Sequence, residues 1–281
     1  MAGALYRPSP AKDQEPMGNS AATGALDTDL ARRLHRALTA GREELFQVLE
    51  DPSPEVLRAA LKNPLLDEGH LLDLLKRSDL AEELLKAVYQ LERFKQSHRL
   101  QVALAYNPGT PAPVVMALLP QLYLFELVTL CYLPGVTPDQ RLAAERAIIR
   151  RLPTTELGNK LTLAHRGTTA VVGELLKEGD PRLIDACLAN PRLKEAALYQ
   201  FLTGPKATPD TISVVARHPR WQNRPNLRLA ILKNQKTPLI WYTVMLPRLK
   251  PPELKSLLIT PYLNPAQKQA VEEELRRRSH G

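Results

Sequence analysis

Residues Leu100–Pro111 read LQVALAYNPGTP, and Leu227–Pro238 read LRLAILKNQKTP. The two stretches keep Leu, Ala, Asn, Thr and Pro in register, 127 positions apart. Carried outward, the same shift aligns residues 28–151 with 155–278 without a gap, and 34 of the 124 positions are identical. Ordinary composition gives roughly one identity in fifteen by chance, so the chain reads as an internal duplication, and a repeat of this kind governs every later assignment. Asn63-Pro64 also matches Asn190-Pro191, Leu119-Pro120 matches Leu246-Pro247, Glu126-Leu127 matches Glu253-Leu254, and Pro138 matches Pro265. Apolar and turn positions are what two copies of one packing scheme retain.

A small polar residue followed by proline punctuates both copies: Asp51-Pro52, Asn63-Pro64, Asn107-Pro108, Thr110-Pro111, Thr137-Pro138, Asp180-Pro181, Asn190-Pro191, Thr208-Pro209, Thr237-Pro238 and Asn264-Pro265. Such a side chain accepts the free N–H groups of a helix start, and proline at the first helical position gives up a donor that has no partner there. Each dipeptide is therefore expected to begin a helix and to end the one before. Between them apolar residues recur at three and four, as in Leu71, Leu72, Leu74, Leu75 and then Leu84, Leu85, Val88, Leu91, which is helical periodicity. Alternating β-branched runs with Asn-Gly or Gly-Gly turns do not occur. Asn63 to Asn107 spans 44 positions, as does Asn190 to Asn234, and two helical repeats of about 22 residues fit that interval. Helices this short cannot stand alone in water and must bury their apolar faces on their neighbours. The expected fold is all-α, a right-handed α-solenoid of roughly a dozen or more short helices. Residues 1–25 form a disordered tail, 26–152 one helical half and 153–281 the second.

The segment ALAYNPGTPAPVVMALL, from Ala103 to Leu119, resembles the leucine-rich repeat variant, a short helical repeat similar in style to HEAT and armadillo arrays. ALKNPLLDEGHLLDLL at Ala60, CLANPRLKEAALYQFL at Cys187 and ILKNQKTP at Ile231 match the same pattern. The resemblance implies an Ala-rich helix ending in Asn-Pro, a Thr-Pro opening the next, and an inward Leu-Leu pair. Some members carry an iron–sulfur module held by clustered cysteines. No cysteine precedes Cys131 here, so the four thiolates of such a cluster are missing and no cofactor is expected.

The 281 residues can bury a sizeable core. Aromatics are 5%, so that core is mainly Leu, Val, Ile and Ala. Cys131 and Cys187 are the only cysteines, which suggests neither a disulfide framework nor a thiolate metal cage and fits a reducing cytoplasm. The opening residues MAGALYRPSP lack the apolar stretch of a secretory signal. The most apolar run, Leu122–Leu133, carries Glu126 and falls short of the roughly 20 residues that cross a bilayer.

Net charge is +8, and residues 152–281 hold 20 basic against 11 acidic groups while the rest of the chain is near balance. From Thr211 to Pro252 there is no acidic residue at all. Arg217, Arg220, Arg224, Arg228, Lys233 and Lys236 fall there, and their counterparts in the first copy are Gln90, Arg93, Ser97, Gln101, Tyr106 and Gly109. Five of the six charges are thus absent where the packing is shared, so the fold does not require them. They form a candidate binding patch with Trp221, or else a solvated helix face. Trp221 and Trp241 align with Phe94 and Val114, both apolar, which favours packing over base stacking.

Chemistry is poorly represented. The six histidines show no metal-site spacing, GxSxG, SxxK and phosphate-binding glycine loops are missing, and Glu126 and Glu253 read as helix-start charges. The expected function is a non-enzymatic cytoplasmic scaffold for a protein partner, one of acidic character suiting the basic patch. The alternative is a nucleic-acid binder using the basic second half, in the manner of HEAT-like DNA glycosylases, although no convincing catalytic acid accompanies it.

Overall fold

The structure, a computed structural model, describes residues 20–279; residues 1–19 of the expected tail lie outside them. Among the described residues there are only helices and no strand, which fixes the all-α class. No helix among them is long and apolar enough to cross a membrane. The chain divides into two compact units between Pro111 and Ala112, inside the first sequence copy rather than at its end.

The first unit contains α1 (Ser20–Thr39), α2 (Arg42–Val48), α3 (Pro54–Ala60), α4 (Glu68–Leu74), α5 (Glu82–Gln90), α6 (Glu92–Gln96) and α7 (His98–Tyr106). Here α1 packs on α2 and α3, α3 on α5, α2 on α4, and α4 on α7. The second unit contains α8 (Ala112–Leu118), α9 (Leu124–Leu130), α10 (Pro138–Arg151), α11 (Leu157–Arg166), α12 (Thr169–Glu178) and α13 (Pro181–Ala189). It continues with α14 (Glu195–Thr203), α15 (Pro209–Arg217), α16 (Pro225–Lys233), α17 (Leu239–Met245), α18 (Pro251–Leu258) and α19 (Pro265–Ser279). One row runs α8, α10, α12, α14, α16, α18, each packed on the next, while α11, α13 and α15 pack in series beside it and α17 packs on α19. Contact with the helix after next is what lets segments of seven to fifteen residues, unstable alone, hold their shape.

Four of the polar-proline pairs start helices as the sequence predicts. The Thr137 hydroxyl accepts from Gln140 N at 3.3 Å, Asp180 from Arg182 N at 2.9 Å, Thr208 from Thr211 N at 3.3 Å and Asn264 from Gln267 N at 2.9 Å. The Asn-Pro pairs at 63, 107 and 190 do not. Asn107 and Asn190 close α7 and α13, and the next helices open several residues later. Likewise α3 opens at Ser53-Pro54 rather than Asp51-Pro52, and the Thr110 and Thr237 hydroxyls donate backwards, to the carbonyls of Leu104 (2.6 Å) and Ile231 (2.5 Å).

The asparagines fail to cap because their carboxamides are committed upstream. Asn63 Nδ2 donates to the carbonyls of Ala37 and Ala40, Asn107 to Leu75 and Arg77, Asn190 to Ala164, His165 and Gly167, and Asn234 to Leu202, at 2.6–3.2 Å. Those carbonyls lie at the ends of earlier helices, where intrahelical donors run out. Each Oδ1 accepts the N–H two residues on, that of Leu65, Gly109, Arg192 or Lys236. Both ends of each amide are thereby satisfied, as burial demands of Asn63, Asn107 and Asn190, Asn234 being half-buried.

Arginine supplies a second tie. Arg151 donates to the carbonyls of Leu119, Pro120 and Leu122, and Arg278, 127 positions on, to those of Leu246 and Leu249. The acceptors are themselves equivalent under the sequence shift. Arg77 makes the same kind of bond to Leu49 and Asp51. At two positions, Gly135 and Gly179, the backbone is left-handed and favours glycine. Gly179 ends α12 at φ +74, where a Cβ would also lie 2.9 Å from the Lys206 carbonyl oxygen.

Replacing Asn190 by Ala orphans three carbonyls and one N–H in a fully buried position. The expected loss is at least about 2 kcal/mol by urea unfolding, since an unmet buried polar group costs roughly 1–3 kcal/mol, and Asn226→Ala at an exposed site should cost far less. Equal midpoints for the two variants would refute the tie.

Asp67 caps α4 by accepting His70 N, and that bond, with the Arg42 guanidinium beside it, holds its carboxyl at about 2. A carboxyl depressed in the folded state contributes stability fully above its unfolded value near 4 and loses it as pH falls through 2. The stability gap between wild type and Asp67→Asn should therefore narrow steadily from pH 4 to pH 2 in chemical denaturation, and a gap independent of pH would contradict the assignment.

Candidate functional site

Between residues 183 and 271 there are thirteen Lys and Arg but four Asp and Glu. Elsewhere the chain pairs its charges: Arg33 with Asp51, Lys86 with Glu83, Lys160 with Glu178, Arg182 with Asp180, and Arg277 and Arg278 with Glu274. Within 183–271 no ion pair forms among the described residues. Water, backbone carbonyls and, for Arg192 and Arg220, an aromatic ring are the partners these cations have.

The predicted residues separate into two groups. Arg220 is structural: its guanidinium donates to the carbonyls of Asn190 (2.7 Å), Pro191 (3.0 Å) and Leu193 (3.2 Å), closing the turn after α13. It also stacks 4.4 Å over the Trp221 ring. Trp221 is 3% exposed, and its indole N–H donates to the Leu188 carbonyl, so of its two readings the packing one describes its place. Its residue pair in the first copy behaves alike, with Phe94 buried and Arg93 reaching the Pro64 carbonyl. Arg228 is half-buried, with one nitrogen 3.4 Å from the Arg248 carbonyl and its Nε enclosed without a partner. Trp241 is half-buried and donates to Ser213 Oγ.

The remaining cations face water. Arg217 is exposed and touches only the Ser213 carbonyl of its own helix. Lys236 is exposed and donates to the Pro205 carbonyl. Arg224 and Lys233 are exposed and have no hydrogen-bond or ionic partner among the described residues. Lys233 ends α16, where a cation also meets the negative end of the helix dipole.

α14 and α16 lie side by side, and two open clefts flank Lys233. One, of about 590 Å³, is lined by Tyr199, Gln200, Asn226 and Leu229 together with Glu195. The other, of about 670 Å³, reaches past Lys236 to Pro261 and Tyr262. Tyr199 and Tyr262 are 47% and 72% exposed. The sequence reading missed both. A signal existed, because Tyr199 stands where the first copy has Leu72 and Tyr262 where it has Gly135, so rings enter at surface positions the shared packing leaves free.

Groups suited to catalysis are otherwise engaged. Glu126 and Glu253 accept the backbone N–H of Tyr123 and Lys250 at 2.7 Å, the outer half of a capping box. Cys131 and Cys187 are buried free thiols, both pushed up to about 12 by desolvation. His218 closes α15 and its Nδ1 accepts from Arg220 N at 3.3 Å, in the place asparagine holds elsewhere. Among the described residues no group of three His, Cys, Asp or Glu could hold a metal ion. No family model, curated protein or solved structure matches the chain.

Arg220→Lys should destabilise the chain by about 1–3 kcal/mol, because an ammonium cannot reach three carbonyls in a plane as a guanidinium fork does. Arg224→Lys should leave thermal unfolding unchanged. Equal melting temperatures for the two would remove the structural role given to Arg220.

Proposed function

We propose that this chain is a non-enzymatic helical-repeat scaffold that holds an acidic protein partner through the exposed cations Arg217, Arg224, Lys233 and Lys236. The carrying observation is the absence of any ion pair over 183–271 among the described residues, against thirteen cations. A fold gains little from exposed charge, and the first copy shares the packing without most of these cations. Uncompensated charge of one sign raises the local concentration and association rate of an oppositely charged partner. Exposed tyrosines beside the cations supply the aromatic contact that interface centres favour.

The stacked right-handed solenoid and the internal duplication belong to this reading. The duplication is supported by bonds that recur 127 positions apart, Arg151 with Arg278, Thr110 with Thr237, and Glu126 with Glu253. Two buried free thiols suit a reducing cytoplasm. Nucleic acid is the competing ligand; the burial of Trp221 withdraws that ring from base stacking and leaves Tyr199 and Tyr262 as the exposed rings of the region.

Affinity capture with the full chain from nuclease-treated lysate tests the proposal. Wild type should retain a defined set of acidic proteins that the triple variant Arg217→Glu, Arg224→Glu, Lys233→Glu releases, with retention weakening as salt rises. The same set on both proteins defeats it, and a set that vanishes on nuclease treatment transfers the function to nucleic acid.

A further inference from the structure

The two clefts around Lys233 share that residue and Ala230, so they adjoin on the flank of α16. Ala230 lines both, and Ala196 and Leu229 line the smaller one. Tyr199 lines one cleft and Tyr262 the other. Lys233 is free among the described residues, and Lys236 spends one of its three N–H donors on Pro205. The only carboxylate in the lining, Glu195, already accepts from Asn226 Nδ2 at 3.1 Å. Gln200 and Gln235 offer amide donors and acceptors of the kind an extended backbone can use.

We infer that this trough of two adjoining clefts holds an extended acidic polypeptide segment, with its carboxylates on Lys233 and Lys236 and an apolar side chain against Tyr199 or Tyr262. The inference rests on the scaffold reading and specifies its ligand. Charge complementarity selects the acid: the trough has two cations against one occupied carboxylate, inside a surface whose other exposed cations, Arg217 and Arg224, also lack acidic partners. Each cleft has the volume of a small-ligand pocket but is open to solvent, which suits side chains set along a strand of peptide rather than an enclosed small molecule. A nucleic-acid strand would need several cations tracking its phosphates, and the trough supplies two.

Fluorescence anisotropy with the full chain and a labelled synthetic peptide alternating Glu with Leu and Phe tests this. The peptide should bind at low salt, and the same peptide with Gln for Glu should bind much more weakly. Lys233→Glu should lower affinity by about tenfold or more, and the double variant Tyr199→Ala, Tyr262→Ala by about fivefold or more. Arg146→Glu, an exposed cation on α10, should leave peptide binding unchanged, and circular dichroism should show every variant folded at the assay temperature. No binding of the Glu peptide, or tighter binding of an equally charged single-stranded oligonucleotide that Lys233→Glu abolishes, overturns the inference. Peptide binding that ignores Lys233, Tyr199 and Tyr262 but falls with Arg217→Glu and Arg224→Glu overturns the trough alone and leaves the scaffold standing.

Discussion

A buried asparagine that reaches back to the carbonyls ending an earlier helix is what turns this string of short helices into a packed body. The ends of helices expose backbone acceptors with no intrahelical donor, and a chain of short helices has many such ends. Hydrophobic contact alone would leave them unmet wherever neighbours cover them. Asn63, Asn107, Asn190 and Asn234 meet them from a helix 23 to 32 residues downstream, so each helix pair is completed by the one that follows. The proline after three of these asparagines prevents the helix from running on, which frees the carboxamide to turn aside. Where His218 replaces asparagine, its ring nitrogen still accepts the N–H two residues ahead, but it has no amide to reach upstream. Arg220 reaches there in its place, bonding three carbonyls of the previous turn.

Two kinds of arginine follow. Arg77, Arg151, Arg220 and Arg278 are parts of the scaffold: each carries its charge into a turn and spends it on carbonyl oxygens. Arg217 and Arg224 lie on the same stretch of chain as Arg220 and look alike in sequence, yet they bond nothing outside their own helix. Charge counted along the chain cannot separate the two kinds, since the distinction depends on which carbonyls lie within reach of the guanidinium. Comparison of the copies does better, because Arg220 keeps its arginine in the first copy, as Arg93, while Arg217 and Arg224 do not.

That comparison also explains how far the fold and the site were legible. The all-helical class was readable from the spacing of Leu71 to Leu75 and Leu84 to Leu91, because burial on one face forces helical periodicity. Helix starts at Thr137, Asp180, Thr208 and Asn264 were readable because their bonds are local. The role of the Asn-Pro pairs was not, since asparagine caps and asparagine ties use the same residue and differ only in where a distant backbone lies. The segment 92–96 is helical while its counterpart 219–223 is a turn, a difference the sequence does not announce, since Pro219 stands where Glu92 opens α6 and proline suits a first helical position. In the site, the acid-free stretch was visible as composition. Tyr199 and Tyr262 were not, because a tyrosine within an apolar pattern reads as core until its exposure is known.

Lys233 occupies a position where a charge is introduced without cost to the helix that carries it. The last turn of a helix is where a cation is favoured by the dipole, by about 0.3–1 kcal/mol at an exposed site, and the first copy shows with Tyr106 that an uncharged residue closes the same helix. Charge at 233 therefore adds to α16 rather than straining it. It also lines a cleft with Ala230 and Leu229, whose small surface is set by the close approach of α14 to α16 and changes only if the stack does. A selective pressure for binding can thus act on 233, 199 and 262 independently of the asparagine and arginine ties, because none of those three side chains carries an inter-helix bond. Asn63 and Asn190, Asn107 and Asn234, and Arg151 and Arg278 make their ties at positions that match in sequence, whereas Lys233, Tyr199 and Tyr262 stand where the matching residues are Tyr106, Leu72 and Gly135.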